Sequence, residues 1–158
     1  RGEFALGTGT VAIADPDEWD DKGSPAALGT FNSFLKTPPI DVTGLRGGSL
    51  NLVFDSSFRP EGSQKASVTV SYDGAAPVTV LEWVATEDNK TNEKVTVPLN
   101  NPATAQSMVI SWGMTNAGNN WFWAIDNIKV DRVGPLFAED FNGLPLLDSI
   151  EERGSRRR

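Results

Sequence analysis

The sequence predicts an all-β protein, a jelly-roll β-sandwich of two antiparallel sheets. Three observations carry that expectation. Short alternating runs rich in Val, Ile, Thr, Phe and Trp recur along the chain; clusters of Gly, Pro, Asn and Asp separate them; and helical periodicity is hard to find anywhere. About eight such runs with turns between them suit two packed sheets better than a single open one.

In chain order the candidate strands cover residues 8–14, 30–36, 49–56, 66–73, 78–84, 93–99, 107–114 and 121–130. Alternate side chains of a strand point to opposite faces. That parity puts Leu50, Leu52 and Phe54 on one face of the third run, Val68, Val70 and Tyr72 on one face of the fourth, and Met108, Ile110, Trp112 and Met114 on one face of the seventh. These are the predicted core. Asp73-Gly74 stands between two alternating runs and predicts a hairpin turn, with Pro77 confined to the entry of the following strand.

Two connections are long. Residues 14–29, ADPDEWDDKGSPAALG, carry Asp15, Asp17, Glu18, Asp20 and Asp21 around Trp19, and residues 87–93, EDNKTNE, read as a solvated loop. Asn89-Lys90-Thr91 fits the glycosylation acceptor pattern, a three-residue match that arises often by chance. Residues 1–133 are expected to form the sandwich, 134–149 a linker or completing edge strand, and 150–158 a disordered tail. The basic run RGSRRR at 153–158 lies beyond any periodic pattern and is assigned no function.

Composition removes several chemistries. The chain has no Cys and no His, so thiolate nucleophiles, disulfides, imidazole triads and histidine-ligated metals have no residues to build them. A net charge of -7 argues against a nucleic-acid partner, whose phosphates need a dense basic surface. No apolar run approaches the roughly 18 residues of a membrane span, so no membrane is expected as partner. No signal peptide is recognisable, and the chain begins abruptly at Arg1-Gly2-Glu3-Phe4.

The series GTVAIADPDEWDD (9–21), LVFDSSFRPE (52–61), VTVSYDG (68–74) and NNWFWAIDNIKV (119–130) resembles a MAM-like jelly-roll module of secreted, multidomain bacterial proteins, often found beside calcineurin-like phosphoesterase domains. The resemblance covers most of residues 3–131. It implies a secreted or cell-surface location and neighbouring domains, or further copies of the same module, as partners. In that family the module opens with an EDFEGLPLG-type strand; here the matching EDFNGLPLLDS stands at 139–149, with Asn142 in the place of a glutamate. The displaced motif raises the expectation that the terminal strand, residues 137–147, folds back or completes a neighbouring copy.

Within 121–130, parity puts Phe122, Ala124, Asp126, Ile128 and Val130 on one face and Trp121, Trp123, Ile125, Asn127 and Lys129 on the other. Asp126 then points with the core set, where an isolated carboxylate costs several kcal/mol, roughly, unless it is compensated. Three readings stay open. Asp126 joins Asp15, Asp17 or Asp20 around a structural calcium, which takes roughly six to eight oxygen ligands; or backbone amides together with Arg59 or Lys129 satisfy it, Arg59 being better placed; or it serves as a catalytic acid, which needs a partner and an open cleft. For catalysis the nearest template is a jelly-roll glycoside hydrolase with paired carboxylates, yet Glu82 is the one glutamate central to a candidate strand and has no partner in its segment.

Trp121 and Trp123, with Asn119, Asn120 and Arg59, are the candidate ligand-binding residues. Exposed aromatic faces stack on sugar rings while amides and guanidinium bond their hydroxyls; the alternative is that both tryptophans are simply covered. The expected function is a non-catalytic accessory module that binds a glycan or a cell-surface polymer, or spaces domains.

Overall fold

The computed structural model describes residues 4–20, 29–86 and 89–133. Their elements run β1 (Ala12–Ala14), α1 (Pro16–Asp20), β2 (Phe31–Lys36), β3 (Ile40–Asp41), β4 (Leu50–Phe58), β5 (Lys65–Tyr72), β6 (Val78–Val84), β7 (Lys90–Pro98), β8 (Ser107–Ala117) and β9 (Trp123–Arg132). One sheet has the order β1-β9-β4-β7; the other has the order β2-β8-β5-β6, with β3 also on β8, and all pairings are antiparallel. Except for β2–β3 and the β5–β6 hairpin, each connection crosses between sheets, which is the jelly-roll interleaving the sequence predicts.

Local chemistry sets the breaks. Pro38 and Pro39 cannot donate to a ladder and split β2 from β3. Thr37 bridges the gap: its N–H donates to the Ile110 carbonyl at 3.0 Å, and its hydroxyl accepts from the Ile110 N–H at 3.1 Å. The β5–β6 turn has φ of 51° at Asp73 and 74° at Gly74, and the Ala75 N–H donates to the Tyr72 carbonyl at 2.9 Å. Two successive left-handed residues match the twist of a two-residue hairpin, as the Asp-Gly pair predicts.

The predicted core is found. Leu50, Leu52, Phe54, Val68, Val70, Met108, Ile110, Trp112 and Met114 are buried between the sheets, and Tyr72 packs against them. The Tyr72 hydroxyl donates to the Leu99 carbonyl at 2.8 Å, and burial raises its pKa. Phe58, Trp83 and Trp123 form an aromatic cluster with centroids 6.0 to 6.3 Å apart, within the range of favourable ring pairs.

Three expectations need correction. Residues 14–29 are not wholly a loop, because 16–20 form α1: Asp15 caps it, its Oδ1 accepting from the Glu18 N–H at 3.2 Å, and Pro16 fills the first helical position, where a missing N–H costs nothing. Residues 90–93 are strand rather than solvated loop, since β7 extends along β4 as far as Phe58. The first run pairs only over 12–14.

The correction that matters most concerns Asp126, which is not a core residue. Trp123 and Ile125 face the core instead, and Val130 packs against it further along. The ladder explains the change of face: Asp55 pairs with Asp126 and Val53 with Lys129, so β9 takes three steps where β4 takes two. Asn127, at φ 52°, lies within that bulge and reverses the alternation beyond it. Parity counted back from Val130 therefore inverts the strand before the bulge. Asp21, residues 134–149 (Asn142 included) and the tail at 150–158 lie outside the described residues.

Candidate functional site

Three chain segments meet around Trp121: the β8–β9 loop, the β4–β5 connection and α1. The loop is set by its own polar groups. The Gly118 N–H donates to Asn120 Oδ1 at 2.8 Å, and the Asn120 N–H donates to the Gly118 carbonyl at 2.9 Å. Phe122 is buried and anchors the exit into β9, which leaves its neighbour Trp121 40% exposed.

Arg59, one residue past the end of β4, puts its guanidinium carbon 4.0 Å from the centre of the Trp121 ring. Such a contact is worth about 0.5–1 kcal/mol at an exposed site, enough to favour one orientation of both side chains. Gly62 sits under Asn120 with φ 58°, and a Cβ there would lie 2.6 Å from Asn120 Nδ2. No other residue type meets both conditions at that position without strain. Asn119 Nδ2 donates to Asp20 Oδ2 at 3.1 Å and ties the loop to α1, while Trp19 of α1 packs on Phe31 with centroids 5.7 Å apart.

Asp17, Glu61, Asn119, Asn120 and Trp121 line a cavity of about 120 Å³. It offers carboxylate and amide acceptors, amide donors and the side of an indole. That set can bond the hydroxyls of a small polyol while an apolar patch rests on the ring.

The sequence-predicted ligand residues Trp121, Asn119, Asn120 and Arg59 are thus brought together. Trp123 is not among them. It is 4% exposed, and its Nε1–H donates to Ser56 Oγ at 2.9 Å inside the aromatic cluster. Arg59, engaged on Trp121, is not the counter-ion foreseen for Asp126, and Lys129 pairs with Asp131 at 2.7 Å. Asp126 is satisfied by backbone amides, the Thr8 N–H at 2.8 Å and the Asn127 N–H at 2.7 Å. These donors, with Thr8 first, hold its pKa below the usual carboxylate value.

Asp126 belongs to a second polar cluster on the outer face of the β4–β9 ladder. Asp55 is 4% exposed there; it accepts from Lys94 Nζ at 2.8 Å and from Asn127 Nδ2 at 2.8 Å, and Lys94 is the main cause of its lowered pKa. Residues 4–8 approach this face, with the Ala5 N–H bonded to Asn92 Oδ1 and the Leu6 carbonyl accepting from Asn127 Nδ2 at 3.4 Å. Asp15, Asp17 and Asp20 lie on or beside α1 instead, and among the described residues no group of three or more acidic side chains could hold a metal ion. Glu82 pairs with Lys65 at 3.2 Å.

Sequence reasoning missed Glu61, which sits in a connection without periodicity. It also missed Asp55, although the run LVFDSS puts a carboxylate inside an apolar strand much as WAIDNI does for Asp126.

No family model matches the chain, and no curated protein matches it. Among solved structures, the chain is similar to TmCBM61 in complex with beta-1,4-galactotriose, at 15% identity and a TM-score of 0.48, over 78% of this chain and 82% of that one. It is also similar to the enzymatically active domain of tailspike protein 4 of bacteriophage CBA120, at 14% identity and a TM-score of 0.39, over 80% of this chain and 18% of that one.

Proposed function

We propose that this domain is a non-catalytic accessory module that binds neutral saccharides through Trp121 and the cavity beside it. One observation carries the reading: an exposed indole, with the Arg59 guanidinium against its ring, forms one wall of a small cavity whose other walls are Asn119, Asn120, Asp17 and Glu61. Sugar hydroxyls both donate and accept, and the lining offers both kinds of partner. Two carboxylates in the wall oppose an anionic ligand and tolerate a neutral one.

The sequence resemblance to MAM-like modules implies a place in a secreted or cell-surface protein, next to other domains. No helix among the described residues is long and apolar enough to cross a membrane.

The test is a tryptophan fluorescence titration with a panel of neutral oligosaccharides, on the parent and on Trp121→Phe. Saturable quenching that the substitution removes supports the proposal. A panel that leaves the parent's emission unchanged refutes it.

A second reading, assembly by strand donation from residues 137–147, is favoured by one observation. β1 pairs with β9 only at 123–125, so among the described residues the rest of that edge of β9 has no strand beside it. Sedimentation at several concentrations, with and without residues 134–158, tests it; a monomer in both forms excludes exchange between chains.

A further inference from the structure

The outer face of the β2-β8-β5-β6 sheet carries a groove of about 560 Å³, lined in part by Phe34, Lys36, Thr69, Ser71, Val109 and Ser111. Its floor follows from register. Phe34 pairs with Gly113 and Gly113 with Ser67; in the next row of the same face Lys36 pairs with Ser111 and Ser111 with Thr69.

Gly113 makes room for Phe34. A Cβ at Gly113 would lie 2.8 Å from both Cδ1 and Cε1 of the Phe34 ring, so the ring lies over the bare backbone of β8. It remains 59% exposed, the second largest exposure among the large apolar side chains described. An aromatic ring can lie over a strand glycine for packing alone. Its surroundings point further: next to it are the hydroxyls of Ser111 and Thr69 and the ammonium of Lys36, and none of the groove's described lining residues is a carboxylate.

Lys36 has no ion pair among the described residues. The nearest acid in the same rows is Glu82, opposite Ser67 at the far side of the sheet, and Lys65 neutralises it. At physiological ionic strength the Debye length is about 8 Å, so the chain's overall negative charge is largely screened and the groove presents its own sign, which is positive. Phe34 and Lys36 stand two residues apart on one face, about 7 Å. That spacing suits one pyranose on the ring and a carboxylate, carried by it or by the next unit, on the ammonium.

We propose that this face is a second saccharide site, distinct from the Trp121 cavity, and that it takes a chain of acidic pyranoses, with Phe34 as the stacking plate and Lys36 as the carboxylate contact. The two sites are separated along and just past β8 by the seven steps from Ser111 to Gly118, about 23 Å. They differ in charge: the cavity is walled by carboxylates and the groove by hydroxyls and one cation.

Affinity electrophoresis in gels containing soluble polygalacturonate tests the proposal, with neutral galactan gels as control. The expected result is retardation of the parent by polygalacturonate, lost at least fivefold in Phe34→Ala and in Lys36→Ala, restored in Phe34→Tyr and Lys36→Arg, and unaffected by Trp121→Ala. Unchanged thermal melting of Lys36→Ala shows that its loss is not unfolding. Absence of retardation of the parent overturns the proposal, as does retardation that Phe34→Ala and Lys36→Ala both leave intact. Loss in Trp121→Ala alone assigns the binding to the other site and likewise overturns it.

Discussion

Asp55 and Asp126 stand opposite each other across the β4–β9 ladder, two carboxylates in a register position that ordinarily disfavours like charges. Asn127 reconciles them: its side chain donates to Asp55 and its backbone to Asp126, while Lys94 supplies the cation. Both carboxyls are held below their ordinary values, as is Asp73, which accepts from the Gln106 and Ser107 amides at the hairpin. A group whose folded pKa is depressed adds stability above its unfolded value, about 3.9 for Asp, and that contribution disappears as pH falls through the folded value. Thermal melting from pH 7 to pH 2.5 is expected to show a level midpoint down to about pH 4 and a steep fall below it. Asn127→Gly, which keeps the left-handed backbone but removes the side-chain donor, is expected to lower the midpoint at pH 7 by several degrees and to narrow its difference from the parent in acid.

The two neighbouring tryptophans are expected to separate cleanly in urea denaturation. Trp123→Ala empties the aromatic cluster and should cost about 3–5 kcal/mol, and Ser56→Ala, which leaves the indole N–H without its acceptor, about 1–3 kcal/mol. Trp121→Ala gives up a surface contact with Arg59 and should cost about 1 kcal/mol or less.

Gly62→Ala tests how the cavity is held. The added methyl meets Asn120 Nδ2 at a φ of 58°, so the amide must shift and the backbone is strained by about 1 kcal/mol or more. Saccharide affinity measured by calorimetry should drop at least tenfold while the melting transition stays cooperative.

Calcium is expected to leave the melting midpoint where it is. An ion that binds the folded state alone must raise the midpoint. Three of the four acidic residues foreseen as its ligands are instead engaged separately, Asp126 by backbone amides, Asp15 as the cap of α1 and Asp20 by Asn119, and the fourth, Asp17, lines the Trp121 cavity. A midpoint that rises with calcium and returns with chelator would contradict this.

Much of the fold is legible in the sequence because alternation is a local signal. Leu50, Leu52 and Phe54 declare their face within five residues, and Asp73-Gly74 declares its turn within two. The bulge at Asn127 is not legible in that way, since it exists only in the mismatch between β9 and β4. It explains why parity is right for Val130 and wrong for Asp126 and Trp123. α1 is too short for periodicity, although Asp15-Pro16 followed by Glu18 carries a helix-start signal. At the site, Trp121, Asn119 and Asn120 are adjacent in sequence and legible together. Arg59, singled out both as a ligand residue and as a counter-ion, and Glu61 reach the site only through the sandwich topology, which brings the end of β4 beside the β8–β9 loop.

The central claim is that Trp121 reads ligand while Trp123 holds the core. Two-dimensional NMR of the indole N–H groups tests it most directly, with the Trp121 signal assigned from Trp121→Phe. Titration with the neutral oligosaccharide that quenches the parent should move that signal progressively and leave the Trp123 signal, bonded to Ser56, in place. A titration that moves the Trp123 signal and not that of Trp121 would contradict the account, as would one that moves neither.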